Sequence, residues 1–193
     1  MTVRTSSNHL GVNDYLAGEL LSERRHEYIG GDIYAMVGAS DRHNLIAGNL
    51  FAALHPLVRG IPCQLFMADM KVHLTVAGED AFYYPDLMLA CDPDDRARYY
   101  RQRPCLIVEV LSEATERIDR REKLLAYSRI ESLQEYLLLS QNEPLAELHR
   151  RRDDWHAYRV REGSVPIECL DTALDIDTIY ADLPPVESVR SEP

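Results

Sequence analysis

Asp86 opens the apolar run Leu87-Met88-Leu89-Ala90, and Glu109 lies inside a second run, Leu106-Ile107-Val108-Glu109-Val110-Leu111. Lys123 follows on a segment of helical character, residues 119–130. Two acids able to share a hard divalent cation, with an ammonium beside them, are the parts needed to turn water against a phosphodiester. Glu109 is the most informative of the three. Aliphatic residues occupy both faces of its run, which reads as a central strand. A glutamate buried there is costly unless a cation or several donors hold it.

The spacing suggests how the acids meet. If the two runs pair antiparallel around residues 91–104, a register centred on that loop sets Asp86 opposite Glu109. Met88 then faces Ile107 and Ala90 faces Cys105, all on one side of the sheet because side chains alternate. Carboxylates so placed repel, so one takes a proton or a cation lies between them. A loop of this length does not by itself fix the register.

Each residue also has a plainer role open to it. Asp86 follows Pro85, which favours an extended approach, yet an aspartate there could simply cap local amides. Glu109 could pair with a buried arginine. Asp119 and Glu122 have the spacing of a capping box, which would start the helix at Asp119 and set Lys123 against its positive end. A cation in that position invites a carboxylate or phosphate partner; a helix starting after Thr115 weakens the argument. Glu27, at the head of a strand, is either a third acid or a surface residue. His43, in the first turn of a helix, could meet a phosphate or a local acceptor. Lys71, on a strand before Asp86, is the rival lysine or an edge charge.

The elements that must position these groups follow from periodicity and turn residues. Asn13 can cap a short helix from Asp14 to about Ser22. Gly30-Gly31 joins residues 27–29 and 32–37 in a hairpin. Ser40 or Asp41 caps a helix to about Leu57, with Leu45, Ile46, Leu50, Ala53 and Leu54 as its apolar stripe. Strands are expected at Gln64–Met67 and Met70–Val76, after which Gly78-Glu79-Asp80 turns into the Asp86 strand. Leu106–Leu111, helix 119–130 and Leu133–Leu139 make a crossover unit with parallel strands. Leu145–Arg151 and Trp155–Val160 form an antiparallel pair, followed by a short strand near 165–170 and a helical turn near 177–183. The fold class is α/β, a mixed central sheet flanked by helices, with a helix and hairpin before it and extra antiparallel strands after it. Residues 1–183 form one domain; residues 1–11 look frayed and 184–193 read as a disordered tail.

With 193 residues the chain can bury a sizeable core. No apolar run approaches the length of a membrane span, and the amino terminus lacks a signal-peptide pattern. Cys63, Cys91, Cys105 and Cys169 lack metal-pair spacing, which leaves them as reduced, buried thiols of a cytoplasmic protein. The net charge of −11 opposes general attraction to nucleic acid. Residues 162–193, with eight acids against one base, carry much of it. Residues 92–131 are balanced, and Arg96, Arg98, Arg101 and Arg103 alternate there with Tyr99 and Tyr100. Such a loop suits phosphate and base contacts, or is simply solvated.

The chain resembles the Uma-type family of endonucleases, of the restriction-endonuclease-like superfamily with its PD-(D/E)XK motif. The likeness is carried by Arg25-His26-Glu27-Tyr28, Gly31-Asp32-Ile33-Tyr34, His43, Pro85-Asp86 and Val108-Glu109-Val110-Leu111-Ser112. It continues through Thr115, Asp119, Lys123 and Tyr127 to Ser132-Leu133-Gln134-Glu135-Tyr136-Leu137. The resemblance implies Asp86, Glu109 and the Val110 carbonyl as ligands of Mg²⁺ or Mn²⁺, and Lys123 and Glu27 as further catalytic groups. One departure stands out: Leu111 occupies the position where the superfamily motif expects lysine, so the amine must come from the following helix. The implied activity is hydrolysis of DNA by a cytoplasmic homodimer. The alternatives are a nuclease-like fold that only binds or assembles, and a small-molecule hydrolase using the same metal pair.

Overall fold

The computed structural model describes residues 9–186. The chain opens with α1 (Val12–Glu19), the hairpin β1 (His26–Ile29) and β2 (Asp32–Ala35), and α2 (Asp41–Leu54). Gly30 and Gly31 make the hairpin turn at φ 53° and 94°, and a Cβ on either would collide with Glu79 or His9. Ser40 caps α2 by accepting the His43 N–H at 3.1 Å. Ile46, Leu50 and Leu54 on α2 are fully buried, each adding about 2 kcal/mol of apolar burial. Leu45, expected in the same stripe, faces outward.

Strands β3 (Gln64–Met67), β4 (Lys71–Val76) and β5 (Glu79–Tyr83) follow. β6 (Leu87–Ala90), the two-residue β7 (Tyr100–Arg101) and β8 (Pro104–Leu111) bracket the arginine loop. A π-helical turn (Ile118–Lys123) runs into α3 (Leu124–Tyr127), and β9 (Glu135–Ser140), β10 (Ala146–Arg150) and β11 (Ala157–Val160) come next. The hairpin β12 (Ser164–Ile167) and β13 (Thr172–Asp175) leads into α4 (Ile176–Ile179).

Six strands form a mixed sheet in the order β11-β10-β9-β8-β6-β3, with β8 inside it as its two apolar faces predict. A second sheet, β2-β1-β5-β4-β7, packs against it. The chain crosses between them at Tyr84-Pro85-Asp86, where proline offers no N–H to prolong a ladder. The expected direct turn from Gly78 into the Asp86 strand is therefore corrected: β5 intervenes and belongs to the other sheet.

Register decides which way the site faces. β6 pairs with β8 through Leu87↔Val108 and Met88↔Ile107, which brings Asp86, one step earlier, alongside Glu109. At the other end a shift between Leu89 and Ala90 puts Ala90 opposite Pro104 rather than Cys105. β8 and β9 run parallel, as the crossover predicts, with Glu109 opposite Leu138. Alternation sends Val108 and Val110 into the core against α2, while Ile107 and Leu111 join Tyr83, Tyr127 and Tyr136 between the sheets. Glu109 lies on that second side, where the π-helical turn packs.

The four cysteines correct the expectation of free thiols. Cys63 bonds to Cys91 and Cys105 to Cys169. Cys63 and Cys91 directly flank Gln64 and Ala90, which are paired across β3 and β6, so the sheet aligns residues that the sequence leaves scattered. No helix among the described residues is long and apolar enough to cross a membrane. The expected frayed start is tied down from Leu10, whose N–H reaches the Gly31 carbonyl; residues 1–8 lie outside the described residues. Of the expected tail, Pro184 accepts from Arg42, and residues 187–193 lie outside the described residues.

Candidate active site

Lys123 is the hub of the site. Its Nζ lies 3.0 Å from Glu109 Oε1, 3.1 Å from Glu27 Oε1 and 3.2 Å from Asp119 Oδ1. Three carboxylates from a strand of each sheet and from its own helical turn thus converge on one ammonium. The Tyr127 hydroxyl donates to the same Glu109 oxygen at 3.1 Å. Burial pulls the Lys123 pKa down, but Glu109, Glu27 and Asp119 outweigh it and hold the amine charged well above the ordinary lysine range. Glu109 is itself pushed well up by burial, against the pull of Lys123 and with help from Asp119, Asp86 and Glu27. Three acids around one ammonium, with Asp86 beside Glu109, leave an excess of negative charge, which a proton or a further cation would relieve.

Asp86 is held from the other side. Its Oδ2 accepts the Val110 N–H at 2.7 Å and lies 3.2 Å from His43 Nε2. Burial opposes protonation of His43, and the hydrogen bond and charge of Asp86 outweigh it, so the ring titrates above the usual histidine value. The cap at Ser40 aims this first-turn residue of α2 at the sheet. The Ala68 N–H bonds the Asp86 carbonyl at 3.0 Å, fixing the backbone as well.

The structure therefore brings together Asp86, Glu109, Val110, Lys123 and Glu27, the residues singled out from the sequence, and gives His43 a local acceptor in Asp86. Asp119 was missed. Its expected role as a helix cap is corrected: its N–H bonds the Thr115 carbonyl inside a helical turn that has already begun, and its side chain is 2% exposed. Although Asp119 Oδ1 is within ion-pair distance of Lys123, it makes no hydrogen bond. The signal available in the sequence was the i, i+4 spacing to Lys123, which stacks the two on one helix face.

Lys71 and the arginine loop lie elsewhere. Lys71 packs over the Tyr84 ring on the opposite face of its sheet from Val72 and Tyr83. The loop meets β8 at Pro104, five residues before Glu109, or roughly 17 Å at about 3.3 Å per residue. Arg103 pairs with Asp92, and Arg101 bonds Gln64 and the Ala97 and Tyr100 carbonyls. The arginines expected to flank the acids are at the far end of the strand pair.

A divalent cation fits the donors only in part. Both contacts to Asp86 fall on Oδ2 and both to Glu109 on Oε1, so Asp86 Oδ1 and Glu109 Oε2 have no hydrogen-bond partner among the described residues. Two such oxygens suit a hard ion that keeps several waters. No group of three or more His, Cys, Asp or Glu is assembled as a ligand set among the described residues. The third protein donor would have to be a backbone carbonyl such as that of Val110.

Residues 12–177 match the model of the Uma2 family, described as "Putative restriction endonuclease". The chain belongs to the Uma2 family. Membership carries a nuclease-like role. Two relatives from Synechocystis sp. are each 32% identical: slr1290, over 90% of this chain and 93% of its own, and sll1609, over 73% and 80%. Among solved structures, a chain described as "a putative nuclease belonging to DUF820" from Anabaena variabilis superposes with a TM-score of 0.67. It covers 82% of this chain and 91% of its own at 16% identity, a likeness of fold. In this Uma2 chain position 111 is leucine, and the Lys123 amine meets Glu109, two residues before that position.

Proposed function

We propose that the protein is a divalent-metal-dependent endonuclease that hydrolyses DNA phosphodiester bonds. The observation that carries the reading is the pairing of β6 with β8, which sets Asp86 beside Glu109 while Lys123 reaches Glu109 from the helix that follows. Mg²⁺ or Mn²⁺ held by Asp86, Glu109 and the Val110 carbonyl would supply Lewis acidity toward the phosphate and its attacking water. The remaining work belongs to the chain. Lys123 donates hydrogen bonds to the attacking water or to charge growing on the phosphate, and it does so fully protonated. Glu27 and Asp119 keep that amine charged and in place. The Val110 N–H and His43 fix the rotation of Asp86, leaving Oδ1 available.

The test incubates the protein with plasmid and single-stranded DNA in Mn²⁺ or in EDTA, beside Asp86→Ala, Glu109→Ala and Lys123→Met. Cleavage is expected with Mn²⁺ alone and is lost in all three variants. Cleavage that proceeds in chelator or survives loss of either acid removes this site from the reaction. A protein that binds Mn²⁺ at Asp86 but cuts neither substrate is a binding or assembly module on the same fold. Sedimentation of the purified protein reads the homodimer expected by analogy with enzymes that cut both strands.

A further inference from the structure

Lys123 and a divalent cation want the same carboxylate. The ammonium sits 3.0 Å from Glu109 Oε1, within the reach of any ion that Glu109 would bind, and like charges at such range repel strongly in a buried site. The surroundings offer the amine somewhere else to go. Asp119 Oδ1 is buried, 3.2 Å from Nζ, and makes no hydrogen bond. A small turn of the ammonium toward it would complete the hydrogen bond that this oxygen lacks.

Resting on the metal-dependent reading above, we propose that Lys123 exchanges carboxylates: it gives up Glu109 to the divalent cation and is then held by Asp119 and Glu27. Asp119 is in this account a positioning residue. It acts through Lys123, and its unbonded oxygen is the acceptor reserved for the loaded site. The exchange is conservative in charge, because the amine leaves one of three carboxylates and keeps the two that lie 3.1 and 3.2 Å away. It also moves the ammonium off the ligand while keeping it among the acids of the site. The i, i+4 placement of Asp119 on the same helical turn makes the new partner rigid with respect to Lys123.

The readout is Mn²⁺ affinity, measured by calorimetry on the full chain without DNA. Lys123→Met removes the competing charge, so the dissociation constant should fall by about tenfold, equivalent to about 1.4 kcal/mol. Asp119→Asn in the natural background should weaken binding several-fold, since the amine then clings to Glu109. In the Lys123→Met background the same change should have a much smaller effect, leaving only the loss of a nearby charge. Equal affinity in Lys123→Met, or the same Asp119→Asn effect in both backgrounds, overturns the exchange.

Two buried acids and the half-buried Glu27 without their amine could keep Lys123→Met from folding. A second measurement therefore uses the natural chain with ¹⁵N-labelled lysine. The ammonium resonance of Lys123, shielded among carboxylates, should shift on addition of Mg²⁺ and should not shift in Asp86→Asn. An unmoved resonance at a Mg²⁺ concentration that fills the site overturns the exchange alone. If neither Mg²⁺ nor Mn²⁺ binds the natural chain at all, the metal-dependent reading fails, and the exchange fails with it.

Discussion

The Val110 N–H donates to Asp86 Oδ2 at 2.7 Å, so the strand that carries Glu109 also holds the carboxylate beside it. The two acids are thereby fixed relative to one another before any ion arrives, which reduces the ordering cost of binding one. Asp86→Asn retains an oxygen that can accept from Val110 while losing the charge. It is expected to unfold within about 1 kcal/mol of the natural protein and to bind Mn²⁺ at least about tenfold more weakly. Asp86→Ala, which strands a half-buried N–H, should cost about 1–3 kcal/mol in addition. Urea unfolding and calorimetry separate the two effects, and an asparagine variant with natural Mn²⁺ affinity would remove Asp86 from the ligand set.

Much of this site was legible because a buried acid inside an aliphatic run announces itself, and because Pro85 marks where the preceding strand must end. The Met88↔Ile107 pairing follows from centring two runs on their loop, and it holds at the site end of the ladder. What the sequence concealed depends on side-chain convergence between distant segments. Nothing local marks Asp119 as buried, since aspartate three residues before glutamate at a helix start looks like a cap. His43 and Asp86 are likewise remote in sequence and meet only once α2 lies across the sheet. The arginine loop failed for a topological reason: in an antiparallel pair the connecting loop joins the strands at one end, and Asp86 and Glu109 are at the other. The cysteines misled because spacing along the chain says nothing about adjacency across strands.

Those cysteines give a second prediction. Cys105–Cys169 ties the first residues of β8 to the segment after β12 across a separation of 64 residues, and Cys63–Cys91 closes 28. Closing loops of this size restricts the unfolded chain, and each bond should add about 2–4 kcal/mol. Protein purified without reductant and denatured under acid should show no free thiol, and reduction should lower the urea midpoint. Four titratable thiols in such material would show that the pairing does not form.

Glu19 supports a third. Buried at the end of α1, it accepts the Tyr84 hydroxyl at 2.8 Å and the His26 N–H at 3.2 Å, and it pairs with His26 Nδ1 at 2.8 Å. One carboxylate thus clamps β1 just before Glu27 and the crossing segment just before Asp86. Glu19→Ala leaves these donors without their acceptor and should destabilise the fold by about 2–4 kcal/mol, while Glu19→Gln, which keeps an acceptor, costs about half as much. Thermal unfolding of both variants checks the order, and an alanine variant as stable as the natural chain would show that α1 docks by apolar packing alone.

The last prediction concerns alkaline pH. The Tyr180 hydroxyl donates to the Ser140 and Leu145 carbonyls at 2.9 Å each, pinning α4 against the end of β9. Burial raises its pKa to about 12, and burial with the charge of Glu27 does the same for Tyr83. In the unfolded chain both phenols release their protons near pH ~10. Between there and about pH 12 the folded state binds more protons than the unfolded one, so stability must fall as pH rises. Tyr180→Phe cannot ionise in either state. It should start about 1 kcal/mol less stable at neutral pH, from the lost hydrogen bonds, and then lose stability more slowly above pH ~10 than the natural chain. The two unfolding curves should converge as the pH is raised. Parallel curves across that window would mean that the Tyr180 phenol ionises as readily folded as unfolded, and that α4 does not hold it in a dry contact.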